Sequence, residues 1–441
     1  MYKNKDRETK ALFKELMPFG GQLDESNRWL RIAKLIPWGA LEDEYGSHFS
    51  HTGRPATDGR LFLGLILLKH MTGLSDRELL EEVLENLYMQ RFCGFEQFVT
   101  RRMLDASTLT KLRKKLGLEF FKKMEEETYR LLIERKIIKG RGILVDATVF
   151  PENIKYPNDV GLLNKAREWM VRKIKTFAKV VGKKPRTYQR NARKVFLGFS
   201  KKKTKSRKVI QKAKKQMLQY AGRNLRQMHE LIGDLKRKGI AIKRAIRERL
   251  QVVAQVIEQQ WTMYRQKSHR VADRIVSLHR SYVRPIVRGK TGKEVEFGPK
   301  AALSHVGGFM FVDHFAHDSF AEADKRIVRQ QIKTFEKRFG RKPAWLTGDR
   351  AYGNRDNREM VEKIGLRGAF QPLGRKAKKE HDPNRWFKRK QRERNRIEGG
   401  IGHGKEHFEL NRIRYEGRAG SEMWVRLGVL GMNLKTAMKK A

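Results

Sequence analysis

Gly142-Ile143-Leu144-Val145-Asp146-Ala147-Thr148-Val149-Phe150 is a short apolar run rich in β-branched residues, the pattern of a strand buried on both faces. One carboxylate, Asp146, stands at its centre. A buried carboxylate is costly unless a partner or a cation offsets its desolvation. A lone Asp of this kind can simply cap a turn. A second strand far downstream, Pro343-Ala344-Trp345-Leu346-Thr347-Gly348-Asp349, also ends on an Asp and runs into the turn-like Arg350-Ala351-Tyr352-Gly353-Asn354. Two strands delivering carboxylates in a very basic chain point to a divalent metal site that acts on phosphates.

The basicity is extreme. Among 441 residues, Lys and Arg number 99 against 49 Asp and Glu, a formal net charge of +50. Such a surplus opposes compaction and calls for a polyanion, with nucleic acid the first choice and an anionic membrane surface the rival. No apolar run approaches the length that spans a bilayer, and the charged start Met1-Tyr2-Lys3-Asn4-Lys5-Asp6 leads into no signal-peptide core. A single cysteine, Cys93, excludes an intramolecular disulfide and a multi-cysteine zinc site, and its setting between Phe92 and Gly94 reads as a small buried hydrophobe. The expectation is an intracellular, reduced, nucleic-acid-handling protein.

Residues 1–135 read as helical. Leu61 to His70 is apolar almost all round, a core helix ended by Thr72-Gly73. Ser75-Asp76-Arg77-Glu78 is a capping box, and Asp105-Ala106-Ser107-Thr108 offers a further cap before Leu109–Leu116. A long amphipathic helix is predicted over 118–137. Short capped helices with basic residues fit a helix-turn-helix-like DNA reader, and equally a plain bundle with solvated lysines. After a polar turn at 151–157, residues 161–283 carry long helical stretches loaded with cations. Lys201, Lys202, Lys203 and Lys205 head a run that continues through Lys212, Lys214 and Lys215 without an acidic residue. So dense a run repels itself unless phosphates lie against it. Met217, Tyr220, Leu225, Met228, Leu231, Ile232 and Leu235 recur at helical spacing, so the region packs as a helical insertion that holds DNA.

Strands return after residue 283. Ile286–Arg288 and Glu294–Phe297 flank a hairpin turn, and further strands are predicted at 300–304 and 308–312. A helix at 319–338, the Asp349 strand, a short helix at 355–364 and a buried strand at 368–372 follow. A basic linker over 373–390, a helix from about Arg389 bearing Glu398 and an apolar helix at 421–438 complete the chain. Strands alternating with helices point to an α/β core.

At Arg394-Asn395-Arg396-Ile397-Glu398-Gly399-Gly400-Ile401-Gly402-His403-Gly404-Lys405 the chain resembles the last catalytic block of the DDE transposases of bacterial insertion sequences. That signature runs Tyr, two residues, Arg, three residues, Glu, six residues, Lys. Arg394, Glu398 and Lys405 fall at those spacings, while Gln391 occupies the Tyr position. The Asp146 and Asp349 blocks, Tyr156 to Asp159, Glu296 to Lys300 and the N-terminal Gly53-Arg54-Pro55 and Gly73–Glu78 are similar to blocks of that group's numbered-four/numbered-five superfamily, in the same order.

The resemblance implies a ribonuclease H-like mixed sheet flanked by helices over 136–160 and 284–441, preceded by an all-α DNA-binding domain over 1–135 and interrupted by the basic helical insertion. It implies metal-dependent cleavage at terminal inverted repeats and transfer of 3′-hydroxyl ends to target DNA. Asp146, Asp349 and Glu398 would be the catalytic carboxylates, holding two Mg²⁺ ions, with Mn²⁺ suiting the same ligands. Arg394 and Lys405 would contact phosphates near the scissile bond. A homodimer on paired ends and a cytoplasmic, nucleoid-associated location complete the expectation.

Three other patterns compete. Gly399 to Lys405 fits P-loop spacing, but Glu406 stands where a P-loop needs Ser or Thr, and no strand precedes it. His305, His314 and His317 with Asp313 and Asp318 read as capping and surface groups in preference to a metal cluster. A nuclease or resolvase that cuts without joining, and a catalytically dead basic DNA-binding protein, remain the rival functions.

Overall fold

The helical start of the chain is punctuated by its caps. The computed structural model describes residues 23–50, 52–290, 293–374 and 385–441. The charged N-terminal segment, residues 291–292 of the expected hairpin turn and most of the expected basic linker lie outside these residues. Helices α1 (Arg28–Ala33), α2 (Trp38–Ser47), α3 (Gly59–Thr72), α4 (Asp76–Glu85), α5 (Leu87–Phe92) and α6 (Ala106–Glu134) come first. Asp58 accepts from the Leu61 amide to open α3, and Gly73, at φ 77°, closes it. Ser75 and Glu78 form the expected reciprocal capping box of α4. Asp105 caps α6, which merges the two helices expected at 109–116 and 118–137 across a kink at Gly117, φ 73°. Cys93 is buried, with its Sγ packed where a side chain on Gly64 would stand.

The chain divides into two compact units, one of residues up to Glu152 with Pro299–Ala441, the other Asn153–Gly298. The first is built on β1 (Ile143–Val149). The second holds α7 (Asp159–Val181), α8 (Gln189–Ser200), α9 (Arg207–Arg237), α10 (Arg244–Arg265) and the hairpin strands β2 (Pro285–Lys290) and β3 (Lys293–Phe297). The first unit resumes with β4 (Lys300–Val306), β5 (Phe309–Ala316), α11 (Lys325–Phe339), β6 (Trp345–Thr347), α12 (Arg355–Lys363), β7 (Arg367–Gly368), α13 (Arg385–His407) and α14 (Gly417–Lys440). Its sheet has the order β5-β4-β1-β6-β7. β4 runs antiparallel to β1 and β5, and β6 runs parallel to β1 and β7.

Alternation along β1 sorts its side chains between two cores. Ile143 and Val145 join Phe309, Phe311 and the N-terminal helices, whereas Leu144 joins Met310, Ile397 and Trp424. Several boundaries differ from expectation. The buried strand expected at 368–372 is a two-residue, exposed edge strand, and Ala369 and Phe370 are buried without belonging to it. Asp324 caps α11, which delays that helix beyond residue 319, and α13 begins inside the supposed linker. Among the described residues, no helix is long and apolar enough to cross a membrane.

The second unit has its own apolar core. Met217, Met228, Leu231 and Leu235 of α9 pack with Leu163, Met170 and Ile174 of α7 and Val253 and Ile257 of α10. One cation of the expected solvated run is not solvated. Lys214 is 3 % exposed and lies 2.9 Å from Asp159, which also binds Arg274 at 2.9 Å. The helical period turns position 214 inward, where only a carboxylate from another element makes a buried ammonium tolerable.

Gly142 sets the approach of β1 to β6, because a Cβ there would stand 2.0 Å from the Trp345 indole. Gly142→Ala is expected to cost roughly 1–3 kcal/mol through this overpacking, read as a lower urea midpoint at unchanged m-value.

Candidate active site

Parallel pairing of β1 with β6 matches Ile143 to Leu346 and Leu144 to Thr347. Two residues farther along each strand come Asp146 and Asp349, so the same register brings the two carboxylates level at the C-terminal end of β6. Asp146 is the one position of β1 that is not fully buried. It lies on the Leu144 side of the sheet, the side that α13 covers. Asp349 leaves the sheet as the cap of a 3-10 turn, Arg350–Gly353, its Oδ1 accepting from the amides of Ala351 at 2.8 Å and Tyr352 at 3.3 Å. Gly348 is obligatory before it, since a Cβ would press on the Tyr352 ring at 2.8 Å.

The electrostatics register this convergence. Burial pushes the Asp146 carboxyl up to about 6; its bond from the Ala147 amide opposes the rise, and the negative charges of Asp349, Glu322 and Glu398 add to it. No sequence motif marks Glu322. It belongs to the turn before α11 and pairs with Lys300 of β4 at 2.9 Å. Tyr352 is wholly buried, its hydroxyl has no hydrogen-bond partner, and its pKa is driven up by burial and then by Asp146, Glu322 and Asp349. An orphaned buried donor among carboxylates is the kind of group that a bound, hydrated cation satisfies.

Glu398 is placed differently. It lies on α13, half-exposed at 52 %, and its Oε1 is 2.6 Å from the Arg394 guanidinium one turn earlier. Among the described residues, no three His, Cys, Asp or Glu side chains gather closely enough to hold a metal ion. The structure thus levels Asp146 with Asp349 and keeps the Glu398 carboxylate engaged by Arg394. Lys405 donates to Thr148 Oγ1 at 2.9 Å. Thr148 is two residues from Asp146 on β1, so the ammonium reaches the same face of the strand. Gln391, at the position of the signature Tyr, bonds the Ala369 carbonyl at 2.6 Å and Thr347 Oγ1 at 3.3 Å, fastening α13 to the end of β6.

The segment Gly399 to Lys405 is continuous helix, which removes the P-loop pattern. Asp313 and His305 are not surface groups as expected. Asp313 is buried against Arg338 at 2.8 Å, and burial, with Arg396 and Lys440 nearby, lowers His305 to about 4. In the second unit, Lys201, Lys202, Lys203 and Lys205 are all exposed, and the chain has no Asp or Glu between Glu168 and Glu230.

Residues 18–115 match the family described as Transposase domain (DUF772), and residues 354–438 match the family described as Transposase DDE domain. The chain is 38% identical over 153 residues to "Uncharacterized protein ORF8 in nfe locus" of Rhizobium meliloti, covering 33% of this chain and 72% of that protein. No solved structure matches. The chain belongs to the DDE transposases of insertion sequences, enzymes that act on DNA and depend on divalent metal.

A raised acid binds its proton more tightly when folded, so Asp146 contributes stability that falls as pH climbs from about 4 to about 6. His305 works in the opposite sense, its contribution rising between about 4 and its ordinary value of 6.5. Asp146→Asn removes the first effect and leaves the second. The metal-free variant is expected to gain stability with pH across this window and to exceed the wild type at pH 7 by roughly 1–2 kcal/mol, allowing for partial exposure. Urea unfolding at pH 4, 5, 6 and 7 checks this, and a variant no more stable than wild type at pH 7 contradicts it.

Proposed function

We propose that the five-stranded sheet is a ribonuclease H-like core, and that it cleaves DNA at terminal inverted repeats and joins the 3′-hydroxyl ends to target DNA. The observation that carries this reading is the register that levels Asp146 with Asp349. The strand order supports it, with a central strand flanked by an antiparallel neighbour on one side and a parallel one on the other. Asp146, Asp349 and Glu398 are the catalytic carboxylates.

Their hard oxygens and the orphaned Tyr352 hydroxyl suit Mg²⁺, with Mn²⁺ acceptable to the same set. Two such ions, when bound, supply activation of the attacking oxygen and stabilisation of the leaving oxygen. The protein's own groups do the rest. Asp146, with its carboxyl raised only to about 6, is mostly ionised at neutral pH, and Lys405, oriented by Thr148, offers a cation to a phosphate oxygen. Arg394 holds Glu398 until a DNA phosphate competes for the guanidinium. An exposed i,i+4 ion pair is worth only about 0.5 kcal/mol, so this exchange is inexpensive.

Residues 1–135 would contribute DNA binding and 136–160 with 284–441 catalysis. The insertion over 161–283 would hold DNA through Lys201, Lys202, Lys203 and Lys205, whose charges no local carboxylate cancels. Pairing two element ends calls for a homodimer, at work on the nucleoid in the cytoplasm.

Supercoiled plasmid with Mg²⁺ tests the chemistry: wild type is expected to nick and Asp349→Ala to lose at least about a hundredfold in rate, the size of a lost electrostatic catalytic group. Nicking that survives the substitution overturns the assignment, and joining of a pre-cut end oligonucleotide separates a transposase from a nuclease. Lys203→Ala with Lys205→Ala is expected to weaken binding to all sequences and to lower the slope of log K against log salt by about 1–2. An unchanged slope, measured by anisotropy, removes these lysines from the phosphate contacts.

A further inference from the structure

Around the N-terminal end of β1, two clefts share Lys139 and Gly307 as lining residues. The larger, about 520 Å³, is lined by Arg135, Lys136, Lys139 and Lys440, and the smaller by Lys139, Arg141, His305 and Arg396. All six cationic residues, Arg135, Lys136, Lys139, Arg141, Arg396 and Lys440, are exposed. Glu393 is the acidic side chain among the lining residues, and Lys390 already holds it at 2.7 Å.

How these cations are fixed matters. Arg135 donates to the Lys34 carbonyl at 2.6 Å, and Lys440 donates to the Gly307 carbonyl. A carbonyl orients a cation without cancelling its charge, in contrast to the carboxylates that engage Lys214, Arg338 and Arg426 elsewhere. The potential left over is felt by the neighbours. Arg396 and Lys440 both help to hold His305 neutral, and Arg396 adds to the depression of Lys440 that burial begins.

We propose that this groove is a second DNA-backbone site, which runs from the N-terminal end of β1 toward the carboxylates. The smaller cleft reaches Leu144, two residues from Asp146 on the same side of β1, whereas Arg141 is five residues from Asp146, about 16 Å at strand rise, so a phosphate seated against Arg141 is not the one being cut. The polyanion that fits a groove with cations along its length is a nucleic-acid strand, and this enzyme's substrate is DNA. The site thus holds the duplex that flanks the phosphate on which the carboxylate end works.

The test compares two variants of the full chain that each lose three positive charges. One is Lys139→Gln with Arg396→Gln and Lys440→Gln. The other is Lys325→Gln with Lys333→Gln and Lys363→Gln, on exposed positions of α11 and α12. Anisotropy of a labelled duplex is followed across a salt series. The groove variant is expected to lose about 2–3 units of salt slope, near 0.9 per phosphate contact, and the control less than about 1. Equal slopes for the two variants overturn the proposal, whatever becomes of plasmid nicking. Thermal melts verify folding, and should the triple variant melt early, Lys139→Glu alone supplies the same comparison: a slope no lower than wild type overturns the proposal equally.

Discussion

The parallel contact between β1 and β6 is the constraint from which the site follows. Parallel strands cannot be joined by a tight turn, so the chain between them must cross over, and here it builds the whole second unit, two antiparallel strands and α11 before returning. The return is accurate because Trp345 sits on the bare backbone of Gly142, which leaves no room for a slipped register. Levelling two carboxylates in this way is unfavourable by itself. Asp146, raised to about 6, shows that the fold tolerates a poorly stabilised negative charge here. Strain of this kind is characteristic of sites that await a cation or a substrate.

The positive surplus is distributed by a different rule. Where a cation is buried, a carboxylate from a distant segment meets it, as Asp159 meets Lys214 and Glu125 meets Arg426 at 2.8 Å. Removing one partner of such a pair would leave an uncompensated buried charge, so these contacts fix the packing more than they add net stability. Where cations are exposed, as at Lys201 to Lys205, carboxylates are missing from the sequence for dozens of positions on either side. The two arrangements separate charges that serve the fold from charges available to phosphates.

Local signals were the legible ones. The Asp146 strand, the Ser75–Glu78 box, the Asp105 cap and the glycine that ends α3 each depend on residues within a few positions, and the structure has them where the pattern puts them. What the pattern missed depends on partners far away in the chain. Lys214 looks solvated until Asp159 is brought beside it, Asp313 looks like a surface group until Arg338 covers it, and Glu322 has no motif at all. The strand expected at 368–372 failed for a related reason. Pairing with β6 stops at the Ala369 amide, which donates to the Leu346 carbonyl, and Phe370 is buried by packing against Gly353 and Gly368, a kind of burial that periodicity cannot tell from a ladder.

Gln391 shows how a departure from a signature can be absorbed. An amide carries both donors and an acceptor, and this one uses them to reach Thr347, Ala369 and Gln371 at once. Those contacts secure the early turns of α13 to the strand that delivers Asp349. The later turns are secured by Ile397 in the core and by Lys405 on Thr148. These anchors fasten α13 to β1 and β6 on both sides of Glu398. The Arg394 pair, weak and half in solvent, engages the Glu398 side chain in the rotamer it occupies. A phosphate that competes for the Arg394 guanidinium would have to overcome that weak contact to release the Glu398 carboxylate.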